Sequence, residues 1–285
     1  MAATTSTTLD DLFANIIAAA RFTAEEESLM MGLVTMYNIG DEAGKTIQVP
    51  KYPAVTAADL TEGTDMSSST VSTSSVSITV GEVGAQVVLT DVAAMGSGNP
   101  AEELGTVLGN SIATKIDTDL IALFDGFSTA LGGAGTEITV ADIFKAAATL
   151  RNAKAQGDIF AVVHPFQAYQ LKANLTNTFA NPNGGTAQNT AMVNSYVGTI
   201  AGVDIYESSN ITVDGSDDAK GAVFSREAMA IAMKRDFQIE TQRDASLRAF
   251  ELNATAVYGV GELDDSYGVE TVSYTHLRAH ETLIY

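Results

Sequence analysis

The sequence predicts an α+β protein that carries a long β arm, and three observations lead there. Tyr52 to Thr114 is a stretch of 63 residues without Lys or Arg. Within it a polar run, Met66-Ser67-Ser68-Ser69-Thr70-Val71-Ser72-Thr73-Ser74-Ser75, gives way to strict alternation over Val76-Ser77-Ile78-Thr79-Val80. Apolar residues at every second position put one face of a strand against something. Next, Asn99-Pro100-Ala101-Glu102 opens a run of apolar residues at three- and four-residue spacing, the signature of a long helix. Finally, the rest of the chain mixes strand-like and helical segments without regular βαβ alternation, which favours α+β over a doubly wound sheet.

Taken in order, residues 1–8 are small and polar and read as a disordered tip. Thr8 or Asp10 can cap an amphipathic helix through Leu12, Phe13, Ile16, Ile17 and Ala20. A second apolar group, Leu29 to Val34, follows Glu25, Glu26 and Glu27. This N-terminal arm, 1–44, packs either into its own core or on a neighbouring copy. Gly44 to Lys51 alternates and reads as a strand that stops at Pro50. The arm, 45–92, runs on to about Thr90, with Gly81 and Gly84 bracketing a turn or bulge and Val87-Val88-Leu89 as buried strand. A hairpin alone in water is marginal, so an arm of this length is expected to rest on another copy.

The long helix has a preferred N-cap in Asn99, a proline suited to the first helical position in Pro100, and Glu102 and Glu103 at the positive end of its dipole. Leu104, Val107, Leu108, Ile112, Ile116, Leu120, Leu123 and Phe124 continue it to about Gly126, a length of about 39 Å at 1.5 Å per residue. This spine occupies 93–131. Leu131-Gly132-Gly133-Ala134-Gly135 reads as a flexible break and a domain boundary. Thr139 caps a helix ending near Gly157. Ile159 to Val163 is a buried strand that ends at His164-Pro165, where a helix starts. Asn181 to Gly185 is a surface loop. Gly202 to Tyr206, Ala222 to Phe224, Ala228 to Met233, Phe237 to Thr241 and Leu247 to Tyr258 are further strands. The regions are thus 132–236, an α/β domain, and 237–272, the return strands. Residues 273–285 hold two of the three histidines, look like a translated sequencing adapter, and are set apart as a non-native tail.

Composition narrows the function. The chain has 285 residues, and at 46% hydrophobic it can bury a sizeable core. Its 15 basic and 35 acidic residues give a net charge of −20. Such a surface repels nucleic acid and anionic membranes. It fits a soluble acidic protein, or one that must sit beside nucleic acid without sticking to it. With no Cys, disulfides and thiolate metal sites are excluded. No apolar run reaches the roughly 18 residues of a membrane span, and the first basic residue, Arg21, lies too far in for a secretory signal.

No catalytic residue, cofactor site or metal site is expected. His164 is the only histidine before the tail, no nucleophile elbow accompanies it, and its expected role is to hydrogen-bond backbone. Gly259-Val260-Gly261 lacks the third glycine of a dinucleotide fingerprint. Asp214 to Asp218 and Glu262 to Asp265 read as solvated acidic loops, with a divalent cation as the other possibility. Lys234, Arg235, Arg243 and Arg248 are either ordinary surface charge or partners for acidic residues of neighbours.

Several segments in this order resemble the major capsid protein of tailed bacteriophages, with the Hong Kong 97-like fold. They are Thr46 to Lys51 leading to Leu60-Thr61-Glu62-Gly63, the helix from Asn99, Val162-Val163-His164-Pro165, Gly198 to Ile205, Ala222 to Ala228, and Ala256 to Gly261. The resemblance covers roughly 30–272 and lies in the order of the segments, since each alone is ordinary strand-and-turn chemistry. It implies an N-terminal arm, an extended loop, a peripheral domain with a spine helix, and an axial α/β domain. It further implies inter-subunit contacts through Glu62, Met66, Val71, Val76, Ile78 and Val80, and a spine built on Asn99, Pro100, Leu104, Leu108 and Ile112. The partners implied are the chain itself, in hexamers and pentamers, together with scaffolding, portal and decoration proteins. Double-stranded DNA would be enclosed without sequence-specific binding, in a virion assembled in the host cytoplasm, and no membrane is involved. Some relatives crosslink through a lysine in the extended loop; the absence of lysine from Tyr52 to Thr114 removes that chemistry here. No long charged coiled coil precedes residue 40, so a cleaved scaffolding segment is not expected. An encapsulin-type compartment shell is the first alternative and a hydrolase the remote one.

Overall fold

The computed structural model describes residues 28–40, 44–91 (except 54, 56, 58, 64, 66, 67 and 69), 100–178 and 196–274. A short helix α1 (Leu29–Leu33) leads into strand β1 (Thr35–Asn38). Strands β2 (Thr46–Lys51) and β3 (Ser74–Thr79) pair antiparallel from Thr46↔Thr79 to Lys51↔Ser74, making a two-stranded ribbon. Strand β4 (Gly81–Thr90) follows one residue later. Helix α2 (Pro100–Ile121) passes into a 3-10 turn, Ala122–Gly126, so the helix proper is about 33 Å long. Then come β5 (Ala130–Gly132), α3 (Val140–Asn152), β6 (Ile159–Val163), α4 (Pro165–Thr178), β7 (Tyr196–Ile200), β8 (Val203–Glu207) and β9 (Asp218–Ser225). The chain closes with β10 (Met229–Asp244), β11 (Ala249–Glu262) and β12 (Gly268–Tyr274).

Among the described residues these strands form two large sheets besides the ribbon. One has the order β1-β10-β11-β4 and the other β5-β12-β9-β6-β8-β7. Helix α2 lays Leu108, Ile112, Ile116 and Leu120 against Phe237, Ile239, Leu252, Ala254 and Ala256 of the first sheet. The same core continues into Phe160 and Phe224 of the second, where Phe224 meets Phe124 at 5.6 Å between ring centroids. On the opposite face of the second sheet, α3 and α4 bury Ile143, Ala147, Leu150, Ala168 and Leu171 over Ala161, Val163, Val203, Ile205 and Val223. Strand β6 is apolar throughout for this reason: Phe160 and Val162 point to one core, Ile159, Ala161 and Val163 to the other.

Several local signals act as the sequence predicts. Thr139 caps α3 in a reciprocal capping box with Asp142. β6 occupies Ile159–Val163 and the next helix begins at Pro165. β8 falls where a strand was expected; β7, which was not expected, precedes it, and the two turn over Ala201-Gly202, both with positive φ (57° and 77°), the conformation of a tight two-residue hairpin.

Other predictions need correction. Gly81 and Gly84 do not bracket a turn: β4 runs straight through both, paired with β11 from Gly81↔Tyr258 to Thr90↔Ala249. β4 is an edge strand with one face open, so Val87 and Leu89 are half-buried and Val88 is exposed. Leu131 belongs to β5, paired in parallel with β12, and the break expected there is an edge strand. The boundary at 131/132 therefore cuts a strand. So does the boundary at 236/237, because the two strands expected from Ala228 to Thr241 are one, β10, interrupted only by register shifts around Arg235. α3 stops at Asn152, short of Gly157. Within the expected N-terminal arm, α1 and β1 belong to the body: Met30 and Leu33 are buried, and β1 pairs with β10. The helix expected before residue 21, the Asn99 cap and the loop Asn181 to Gly185 lie outside the described residues.

The segment set apart as a tail also begins too early. β12 runs through Ser273 and Tyr274, paired with Ala219 and Asp218. Ser273 is fully buried, and its Oγ accepts a 2.8 Å hydrogen bond from Gln167 Nε2. A chain ending at Val272 is therefore expected to be less stable than one ending at Tyr274 by about 1–3 kcal/mol, the cost of losing buried polar pairing. Comparing the two melting temperatures checks this, and equal values would contradict it.

Candidate assembly surface

The ribbon β2–β3 is anchored at its root and bare beyond it. Alternation along β3 turns Val76, Ile78 and Val80 inward; Ile78 and Val80 are 1% and 5% exposed, packed with Ala230 and Ala232 of β10. Thus two of the six expected contact residues, Ile78 and Val80, face their own subunit, because the strand's apolar side already has a sheet to cover. Val76 is half-buried at the edge of that cluster. Glu62 and Val71 are exposed, and Met66 lies outside the described residues. Beyond the paired strands, Tyr52, Val55, Leu60 and Val71 are 69%, 60%, 68% and 48% exposed. Isolated apolar side chains are normal on a surface; four on one segment make it the candidate interaction surface.

In the spine, Leu104 is half-buried and Leu108 and Ile112 are buried in the subunit core. Pro100 opens the helix. Val107, on the outer side, is 57% exposed.

A second anchor was not anticipated from the sequence. Asp117 of α2 is 1% exposed, and its carboxylate accepts from Ser28 Oγ (2.7 Å), Leu29 N (3.1 Å) and Met30 N (3.1 Å). It thus caps α1 from another helix, doing what an N-cap side chain ordinarily does. Burial pushes its carboxyl above the ordinary value, while Ser28, the two amides and Asn210 pull the other way. The signal in the sequence was a carboxylate on the apolar face of the helix, four residues from Ala113 and Ile121 and three from Leu120. Asp117 borders a cleft of about 410 Å³ lined also by Leu29, Thr114, Pro165, Glu207, Ser208, Ser209 and Asn210.

The charged residues near the last strands tie this chain together. Arg243 pairs with both oxygens of Asp91 (2.6 and 2.8 Å) and lies over the Phe250 ring. Its guanidinium holds the Asp91 carboxyl below the usual range. Arg235 pairs with Glu82 at 2.6 Å, and Lys234 reaches the Gly44 carbonyl. The idea that these cations wait for a neighbour's carboxylates is corrected for these three: their partners are within the subunit. Lys51, at the distal end of β2, pairs with Asp264 at 2.6 Å. Of the acidic loops, Asp214 accepts from the amides of Ser216 and Asp218, and Asp218 is buried and accepts from Gly135 N. Among the described residues no cluster of three or more His, Asp or Glu side chains is placed to hold a metal.

His164 works as expected. Its Nδ1 accepts from Phe166 N at 3.3 Å and its own amide donates to Gln167 Oε1 at 2.9 Å, at the start of α4. Partial burial lowers its pKa.

This arrangement, a ribbon beside a long helix and two sheets, recurs in solved structures of capsids. It is similar to the capsid protein of cyanophage P-SCSP1u, with a TM-score of 0.66 at 18% identity over 85% of this chain and 87% of that one. The Mycobacterium phage Che8 protein gives 0.66 at 22% identity, over 80% and 85%. The virus-like particle protein from Pyrococcus furiosus gives 0.60 at 10% identity, over 91% and 98%. No curated protein sequence matches significantly. A family model for phage capsid proteins matches residues 72–271. The chain therefore belongs to the phage capsid protein family. The encapsulin alternative is not favoured, since the family match is to phage capsids.

Proposed function

We propose that this subunit associates with copies of itself, as hexamers and pentamers, into an icosahedral shell that encloses double-stranded DNA. The observation that carries this is the ribbon: its root is buried in its own body, while Tyr52, Val55, Leu60 and Val71 beyond the root are exposed. Laid on a neighbour, these side chains lose their contact with water, and many modest interfaces repeated around a closed shell add up to a stable particle. In the Hong Kong 97-like assignment, α2 runs along the shell wall as the spine of the peripheral domain. The sheet containing β6 and β9, with α3 and α4, forms the axial domain around the local symmetry axes.

The function is association and involves no bond chemistry in the subunit. The net charge of −20 keeps packaged DNA from adhering to the inner wall. The protein resides in the virion after assembly in the host cytoplasm, with scaffolding, portal and decoration proteins as partners.

The test is negative-stain electron microscopy with light scattering on the chain expressed alone, then with a candidate scaffolding protein. Uniform shells or capsomer rings are expected. A monodisperse monomer under both conditions would refute the reading.

A further inference from the structure

We propose that Gly259 and Gly261, together with the Lys51–Asp264 ion pair, form a seat that fixes the direction in which the arm leaves the subunit. The use of that direction rests on the shell reading above; the seat itself does not.

β4 follows β11 residue for residue as far as Gly81↔Tyr258. There the neighbouring strand leaves the ladder, while β11 continues alongside β10 through Glu262. Instead of pairing onward, β3 crosses the face of the sheet. At the crossing β11 presents Gly259 and Gly261, and β10 presents Ala232 and Ala230 directly opposite them. Two successive inward positions on each of the two strands thus carry one methyl group or none, leaving a shallow trough. Ile78 and Val80 fill it.

The fit leaves no room for larger residues. A Cβ on Gly259 would lie 2.4 Å from the Thr79 carbonyl oxygen and 3.1 Å from Val80 Cα. One on Gly261 would lie 2.8 Å from Ile78 Cγ1. Neither glycine has a positive φ. The requirement is therefore space for a crossing backbone and not a special conformation, which is what glycine inside a strand commonly marks. The Gly-x-Gly that fails as a dinucleotide fingerprint has this steric role instead.

One contact would leave the ribbon free to pivot, and a second prevents it. Lys51 sits opposite Ser74, four residues along β3 from Ile78, so the two contacts are about 13 Å apart at 3.3 Å per residue. Asp264 is itself held in place, accepting from Ser266 N and Ser266 Oγ at 3.1 and 2.7 Å. The 22 residues from Tyr52 to Thr73, as two limbs, can reach at most about 36 Å. A small rotation at the root therefore moves the far end by several ångströms, enough to miss a partner surface.

The chain has no cysteine, so spin labels can be placed cleanly at Ser72→Cys on the arm and Ser111→Cys on α2, both exposed. Electron–electron distance measurement is made on labelled subunits diluted with unlabelled chain. The unmodified seat is expected to give one narrow distance distribution. Gly261→Ala is expected to shift or broaden it, as is Lys51→Met, an exposed change that leaves the core intact. Gly261→Ala combined with Ile78→Ala removes the clashing atoms and is expected to restore the distance, although it adds a core truncation that can only lower stability. Unchanged distributions in Gly261→Ala and Lys51→Met overturn the seat, whatever happens to the shells. Because the distance is read without requiring particles, failure of the wild-type chain to assemble counts against the shell reading and leaves this result standing.

Discussion

Replacing Tyr52 to Thr73 by Asn-Gly is expected to abolish closed shells while leaving a folded subunit. Lys51 and Ser74 are directly paired, and a two-residue type I′ turn is the connection that such a pair accepts. The described residues of the replaced segment contribute nothing to the three clusters of buried apolar side chains. Tyr52, Val55, Leu60 and Val71 are exposed, so removing them costs the isolated subunit little, and a shorter connection costs less entropy to close. On the shell reading the same residues are what each copy offers its neighbours. The loss repeats at every subunit, and avidity falls with each contact removed. Circular dichroism should show an unchanged fold and a melting temperature within a few degrees, while electron microscopy shows no particles. Normal shells from this variant would sink the assigned role of the arm.

Asp117→Ala is expected to destabilise the subunit by about 2–4 kcal/mol, since it orphans the Ser28 hydroxyl and the amides of Leu29 and Met30 at a buried helix start. Asp117→Asn should cost less, because one oxygen still accepts. The pH dependence has a definite sign. Burial raises the carboxyl above its ordinary value of 3.8, so the folded chain binds the proton more tightly than the unfolded one. The penalty for the buried charge is present at neutral pH and is relieved as pH falls toward 3.8. Relative to Asp117→Asn, the wild-type chain should therefore gain stability on mild acidification. Parallel denaturant titrations of the two at neutral and mildly acidic pH check this. A gap that moves the other way would show that the hydrogen bonds to the carboxylate outweigh its desolvation.

Much of the architecture was legible where one residue does one local job. Thr139 with Asp142 announces a helix start, His164-Pro165 a strand end and a new helix, and the apolar run of β6 a strand covered on both faces. The spine helix and the ribbon follow from periodicity alone. What escaped depends on partners far away in sequence. β1 is a strand because β10, nearly 200 residues later, lies beside it. Lys234-Arg235-Asp236 looked like a break between two strands; it is a pair of register shifts within one, and Lys234 and Arg235 reach Gly44 and Glu82 from there. Of the expected contact residues, Ile78 and Val80 turned out to face their own subunit, since alternation says which side chains share a face but not whether that face meets the same chain or another. Asp117 stayed hidden because its donors come from a segment 87 to 89 residues away.

The order of strands has a consequence for how such a subunit is made. Both sheets depend on late residues: β10 and β11 fill the middle of one, and β12 lies between β5 and β9 in the other. During synthesis β1, β4 and β5 emerge long before the strands they pair with. Loop closure over such separations is slow, and neither of the two large sheets can be completed from the N-terminal half alone. The seat that aims the arm therefore forms only once translation has passed Asp264. A chain released before that point lacks Gly259, Gly261 and Asp264, and so has no seat for its arm.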